Sequence, residues 1–409
     1  MTSQCRFCGE KLSETVVDLG ASPLANSILT GEQLHQMEPT YPLCVYVCGN
    51  CHLVQLEEFE SPEHLFSDYS YFSSYSVSWL EHCERYAEQM IERLKLGPGS
   101  KVVEIASNDG YLLQYFVRAG IPVLGIEPAA NVAEAGIAKG IPTEVIFFGR
   151  ETAAKLAGDG HGADLIVANN VLAHVPDING FVEGLKRLLK PAGVITVEFP
   201  HLLNLIQQTQ FDTIYHEHFS YLSLSVVERI FAHHGLTVFD VEQLPTHGGS
   251  LRIYAAHAGD TDKPVSENVE GLREHENVAG LNSVAVYRSF QGKVLDVKIG
   301  LLRFLTEARQ TGRTVAGYGA PAKGNTLLNY CGVGPELLPY TVDRSPHKQS
   351  RFLPGTRIPI HAPDAILERR PDYLLILPWN LKDEIAEQMA AIREWGGKFV
   401  VPIPRVDVF

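Results

Sequence analysis

Residues 213–223 read TIYHEHFSYLS, a stretch that sets Tyr215, His216, Glu217, His218 and Tyr221 within seven positions. Burying so many polar groups is costly unless each is hydrogen-bonded, and their types suit proton transfer. A histidine, with an ordinary pKa near 6.5, serves as a base at neutral pH. Tyrosines and a second histidine can donate to a developing oxyanion, and a carboxylate can fix a histidine tautomer. On a regular strand, Tyr215, Glu217, Phe219 and Tyr221 would share one face, and His216 and His218 the other. Base and helpers would then point apart, so a loop or bulge is expected here. Packing roles stay open: His216 as a hydrogen-bonded core histidine, Phe219 and Tyr221 as core, Glu217 as half of an ion pair.

A second pattern lies near the N-terminus. Cys5 and Cys8 in CRFCG, and Cys48 and Cys51 in CGNCH, form two CxxC turns. Four thiolates from two such turns give the closed tetrahedral coordination of structural zinc. The 39 residues between the pairs exceed the usual ribbon spacing of about 15–20, so that segment must fold back as an insertion. A site closed by four cysteines has no open position, so this zinc should hold the fold and not catalyse. Cys44 is a spare thiol. The odd total of seven cysteines, without a signal-peptide pattern, points to metal or free thiols before disulfides and to a cytoplasmic protein.

The elements that position these groups follow from pattern. A chain of 409 residues exceeds one hydrophobic core, so two or three domains are expected. No run of eighteen apolar residues marks a membrane span. A net charge of -14 argues against nucleic acid as partner and leaves nucleotide-linked small molecules open. Three blocks emerge: a zinc-binding domain over 1–70, an α/β domain over 71–258, and a smaller Rossmann-like α/β domain with a connecting helix over 259–409. In the second block, KVVEIASNDGYLL and PVLGIEPAANVAEAG each read as strand, loop and helix, while ADLIVANNVLAH and GVITVEFP supply two more strands. Such alternation means a parallel sheet with ligands at the carboxyl ends of its strands. In the third, Phe290, Val294, Val297, Leu301 and Phe304 form one apolar helical stripe.

The loop of Glu104, Ala106, Asn108, Asp109 and Gly110, with Glu127 and Pro128 ending the next strand and Asn169 and Asn170 ending another, resembles the cofactor pocket of class I S-adenosylmethionine methyltransferases. Glu127 would accept the ribose hydroxyls. Ala106 and Asn108 depart from that fold's glycine pattern, so the loop alone is a weak signal and NAD remains its rival. A second loop, GYGAPAKGN, carries Gly317, Gly319, Gly324 and Lys323, but not at dinucleotide-fingerprint spacing. Lys323 would attract a phosphate, and Asp343 lies near the place of a ribose-binding acid.

YSYFSSYS, EIASNDGYLL, ANNVLAHV, YHEHFSYLS, GGSLR and GYGAPAKGN, in this order after the four-cysteine block, resemble the sugar C-methyltransferases of deoxysugar biosynthesis, of the tetronitrose- and mycarose-pathway type. The resemblance implies S-adenosylmethionine and structural zinc as cofactors. It implies methylation of the carbon, usually C3, beside the ketone of a dTDP-linked 4-keto-6-deoxysugar, by way of an enolate; the rival readings are an O- or N-methyltransferase on another small metabolite and a zinc-stabilised binding protein without catalysis. His218 would be the base, with Tyr215, Glu217, His174 and Tyr69 lining the pocket. Tyr75, Tyr221, Arg252 and Lys323 would contact the substrate, Arg252 as a phosphate clamp unless it sits in a structural salt bridge. The family leans towards a monomer.

Overall fold

The computed structural model describes residues 4–66, 72–75 and 77–409. The chain divides into two interleaved units, one of residues 1–12, 48–201 and 219–282, the other of residues 13–47, 202–218 and 283–409.

The first unit is built on a seven-stranded sheet. In chain order its strands are β1 (Val102–Ile105), β2 (Val123–Ile126), β3 (Thr143–Glu144), β4 (Ala163–Asn169), β5 (Leu189–Pro200), β6 (Leu236–Leu244) and β7 (Ser250–His257). In space they run β6-β7-β5-β4-β1-β2-β3. β7 pairs antiparallel with both β6 and β5, and the other neighbouring strands pair parallel. VVEI and VLGI are buried along their whole length, as strands covered on both faces must be. Helix α1 (Val77–Leu94) places Cys83, Tyr86, Ala87 and Met90 in the core with Phe116 of α2 (Leu113–Arg118). Those four share one face at helical spacing. Strand order reverses between β1 and β4, so their carboxyl ends open the crevice where α/β sheets take ligands.

The second unit ends in a six-stranded sheet. Strands β8 (Val315–Tyr318), β9 (Thr341–Val342), β10 (Ile360–His361), β11 (Tyr373–Ile376), β12 (Lys398–Val401) and β13 (Asp407–Val408) lie in the order β10-β9-β8-β11-β12-β13. The reversal here falls between β8 and β11. An antiparallel hairpin of Glu14–Ser22 with Tyr41–Val47 belongs to the same unit. The connecting helix Phe290–Gln310 buries Phe290, Val294, Val297 and Leu301, the expected stripe, with Phe304 half-buried against Tyr373.

One buried carboxylate anchors a helix of the first unit. Glu276 accepts the backbone N–H groups of Leu224 (2.6 Å) and Ser225 (2.9 Å) and the Ser225 hydroxyl (2.6 Å). The two N–H groups are orphan donors of the helix Leu224–His233. His201 Nε2 lies 2.7 Å away. Burial works against the charge, yet His201 and Ser225 outweigh it and hold the Glu276 carboxyl below its ordinary range. Glu276→Ala should therefore destabilise the protein by about 3–5 kcal/mol, the cost of orphaning one member of a buried ionic network. Urea denaturation of the first unit would measure this, and a loss under 1 kcal/mol, by order of magnitude, would show the network to be incidental.

Candidate active site

The four cysteines converge as their spacing predicts. Their Sγ atoms lie within 4.8 Å of one another, with Cys5–Cys51 and Cys8–Cys48 both at 3.5 Å. A zinc with four Zn–S bonds of about 2.3 Å needs Sγ–Sγ edges of about 3.8 Å, so the cluster fits that ion. The Cys51 hydrogen bond pulls the Cys5 thiol down to about 4, while the same contact and burial push Cys51 up. Gln55, buried, donates to Cys5 Sγ at 3.2 Å and accepts the Arg6 N–H at 2.9 Å, bracing the first turn. Sequence reasoning missed Gln55, which has no signal beyond its place on an apolar strand.

The cofactor loop has the backbone of a glycine loop without its glycines. Ala106, Asn108 and Gly110 all take left-handed conformations, at φ of +58°, +49° and +74°. Asn tolerates this region well, whereas alanine pays about 1–2 kcal/mol there. Glu104 is fully buried, and its carboxylate oxygens lack a well-aligned hydrogen-bond partner among the described residues. Burial pushes its carboxyl well above the ordinary range, with Tyr111 opposing and the Glu127 and Asp109 charges reinforcing. Glu127 accepts the N–H groups of Asn108 and Ala129, both at 2.9 Å. Burial still raises its pKa, those two bonds opposing. Pro128 stands half-buried between Glu127 and Ala129.

Asp109 is held by Lys139, whose Nζ donates to its Oδ2 at 3.1 Å. At the end of β4, Asn169 is buried, and left-handed Asn170 donates its N–H to the Glu198 carbonyl at 2.8 Å. Beside Glu104, one side-chain oxygen each of Ser107, Asp109, Asn169 and Asn170 is buried without a hydrogen-bond partner among the described residues. They gather at the carboxyl ends of β1 and β4. A ligand rich in hydroxyls and amine would satisfy them, so the residues fit S-adenosylmethionine.

In the second unit, residues 215–218 form a turn, with the His218 N–H bonded to the Tyr215 carbonyl at 2.9 Å. This removes the face conflict of a strand: Tyr215 Oη lies 2.9 Å from His218 Nε2, and the rings are 4.0 Å apart. His218 Nδ1 lies 2.7 Å from the Thr213 carbonyl. A carbonyl only accepts, so Nδ1 carries the proton and, in the neutral ring, Nε2 accepts from the tyrosine hydroxyl. Both side chains are half-buried. His216 and Glu217 are buried. His216 Nε2 donates to the Pro42 carbonyl at 3.1 Å, and burial lowers its pKa. Glu217 accepts from Asn26 at 2.7 Å, and burial pushes it up to about 7 against the pull of Asn26 and Lys348.

The glycine loop of the second unit is accounted for by packing. A Cβ on Gly317 would strike Thr341, one on Gly319 would strike Pro378, and one on Gly324 would press on Leu377. Asp343 caps its own surroundings, accepting the N–H groups of Ala320 and Ser345, both at 2.8 Å. Lys323 is half-buried, with Nζ donating to Asn380 Oδ1 at 2.8 Å and lying 4.7 Å over the Trp379 ring. Burial lowers its pKa, and Asp212 opposes.

The remaining expected site residues have surroundings of their own or lie outside the described residues. Arg252 is buried and ion-paired with Glu198 and, at 3.0 Å, with Glu242, beside His82 and over the Tyr86 ring. Its guanidinium is spent on protein carboxylates, which favours the salt-bridge reading over a phosphate clamp. Glu198, a lone charge inside the apolar run GVITVEFP, was the signal that could have revealed this pair. Tyr221 is buried on a strand pairing with Val54, whereas Tyr75 is 64% exposed. The adjacent Ser73 N–H donates to Asn108 Oδ1 at 3.0 Å, tying that segment to the cofactor loop. His174 is half-buried with its ring 5.6 Å from that of Phe66. Tyr69 and Tyr71 lie outside the described residues.

Comparison with known proteins decides the family. Residues 5–66 match a zinc binding domain model, 79–241 a methyltransferase domain and 245–404 a C-methyltransferase C-terminal domain. Over 405 residues the chain is 38% identical to the C-methyltransferase NovU of Streptomyces niveus, covering 99% of this chain and 96% of that one. The chain belongs to the C-methyltransferase family. It is an S-adenosylmethionine-dependent C-methyltransferase with a zinc-binding N-terminal block and a class I methyltransferase fold. A ubiquinone biosynthesis O-methyltransferase of Bartonella bacilliformis is 32% identical over 102 residues, 24% of this chain and 40% of that one. Among solved structures, PH0226 protein of Pyrococcus horikoshii OT3 aligns at TM-score 0.38 and 16% identity over 49% of this chain and 99% of that one. No described helix is long and apolar enough to cross a membrane.

Two outcomes follow from this geometry. Cys48→Ser should unfold or aggregate the N-terminal block, since structural zinc contributes folding energy directly; metal analysis should find one zinc per chain in the parent and none in the variant. Glu217 holds a raised pKa when folded, so relative to Glu217→Gln the parent should lose stability as pH rises from the ordinary carboxylate range through about 7. Paired melts across that window would show the difference, and parallel curves would contradict it.

Proposed function

We propose that this C-methyltransferase acts on a small molecule, a dTDP-linked 4-keto-6-deoxysugar, and methylates C3 beside the ketone through an enolate. The observation that carries the reading is the Tyr215–His218 pair with its proton positions fixed by the Thr213 carbonyl. Carbon must be made nucleophilic before it can accept a methyl group, which is the demand that separates it from oxygen or nitrogen. A ketone α-proton is far too weakly acidic for a side-chain base alone. Donors to the forming oxyanion, each worth about 3–4 kcal/mol when well placed, close the gap.

In this reading the α-proton ends on His218 Nε2, the basic nitrogen of the neutral ring. The Tyr215 hydroxyl, now bonded to that nitrogen, turns its proton to the oxyanion. Glu217, carrying a pKa near 7, holds or releases a proton at the same pH. Lys323, beside Asn380 at a strand-order reversal, meets the substrate's diphosphate. His174 and Tyr69 keep their places on family resemblance. Glu104, Asp109, Glu127, Asn169 and Asn170 hold S-adenosylmethionine, which when bound supplies an electrophilic methyl group on a sulfonium sulfur.

Incubation with a dTDP-4-keto-6-deoxysugar in deuterated water should wash one α-proton out of the substrate without methyl transfer. His218→Asn should slow both exchange and methylation by about 10²–10⁴, the range for a general base, with cofactor affinity kept. Near-parental exchange in that variant would move the base elsewhere.

A further inference from the structure

Asp212 and Trp379 have no part in the chemistry described so far, yet Asp212 adjoins Thr213, whose carbonyl bonds the histidine. Asp212 is fully buried in the short helical turn Phe211–Thr213. Its Oδ2 accepts the Trp379 indole N–H at 2.6 Å, and Trp379 is itself buried. Burial raises the Asp212 carboxyl to about 6, with the Lys323 charge and the indole bond opposing. The turn is pinned at several other points. Thr213 bonds the Gln210 carbonyl through both its N–H (3.1 Å) and its hydroxyl (2.7 Å), and the Ile214 N–H bonds the Phe211 carbonyl at 3.0 Å. The Thr326 hydroxyl donates to the Ile214 carbonyl at 2.9 Å. The peptide that remains between these anchors presents the Thr213 carbonyl to His218 Nδ1.

We infer that Asp212 and Trp379 are positioning residues for the reaction: the indole N–H fixes Asp212 and its turn, the turn aims the Thr213 carbonyl, and that carbonyl holds the proton of His218 on Nδ1. The physical reason is that one displaced carbonyl frees the ring to choose its other tautomer. An Nε2–H ring would set a donor against the Tyr215 hydroxyl and leave no basic nitrogen facing it. Orientation of this kind is sensitive to shifts of about half an ångström. No sequence motif marks the pair, since Asp212 and Trp379 are 167 positions apart.

The inference rests on His218 as the base, but its test does not depend on turnover alone. Nitrogen-15 NMR of histidine-labelled full-length protein reports the tautomer, with the His218 signal assigned by its loss in His218→Asn. The parent should show Nδ1–H. Trp379→Phe, which keeps the ring and deletes only the donor, should populate Nε2–H and lower kcat on the order of 10–100-fold, the scale of losing an orienting partner behind a functional histidine. Its KM for S-adenosylmethionine should not move. Asp212→Asn retains an acceptor for the indole and should keep the parental tautomer. Trp395→Phe is the matched control, because Trp395 also bonds a carbonyl through its indole, that of Pro371 at 2.9 Å; it should change neither tautomer nor kcat. An Nε2–H ring in the parent, an unmoved tautomer in Trp379→Phe, or an equal effect in Trp395→Phe would overturn the inference. Full activity in His218→Asn would instead remove the base assignment, and the tautomer measurement would still judge the positioning.

Discussion

A carbonyl oxygen has no proton to give, and that plain asymmetry governs the proton-handling part of this molecule. Because the Thr213 carbonyl meets His218 Nδ1, the imidazole has one permitted neutral form, and its basic nitrogen is the one that faces Tyr215. The turn at 215–218 brings the two rings side by side, which a strand could not do. Around them the second unit fastens the loop carrying the reactive pair at two further points, Asn26 on the Glu217 carboxylate and the Thr326 hydroxyl on the Ile214 carbonyl.

The first unit solves a different problem, bringing backbone close to a ligand without the glycines that usually permit it. Asn108 in the left-handed region is a modest departure, and Ala106 there is a strained one. Gly110 is the position where a side chain has no room, since its Cβ would meet Ile141. Backbone shape, not residue type, is thus what the loop shares with glycine-rich versions. A reader of sequence who demands glycine would pass over it.

Legibility followed periodicity and spacing. Parallel strands, the connecting helix and the four-cysteine cluster were readable because apolar runs, a helical stripe and paired CxxC turns are local signals. The Tyr215–His218 pairing was not, because it depends on where a carbonyl five residues before the histidine points. Arg252 reads as a candidate anion clamp until Glu198 and Glu242 are seen against it, and those partners lie 54 and 10 positions away. Asp212 and Trp379 were invisible for the same reason. Glycines of the second loop resemble a dinucleotide fingerprint in composition, while their actual neighbours, Thr341, Pro378 and Leu377, are those of tight sheet packing.

The second unit is assembled from three separated stretches, 13–47, 202–218 and 283–409. Its first stretch leaves and re-enters the chain between the two CxxC turns, so a bound zinc would clasp both ends of that excursion and shrink the entropy of closing it. Splicing relatives together near residue 245, where one family match ends and another begins, would therefore exchange less than a folding unit. Such a chimera would join the Ile214 carbonyl of one parent to the Thr326 hydroxyl of the other, and inherit its reactive loop from a different ancestor than the scaffold holding it.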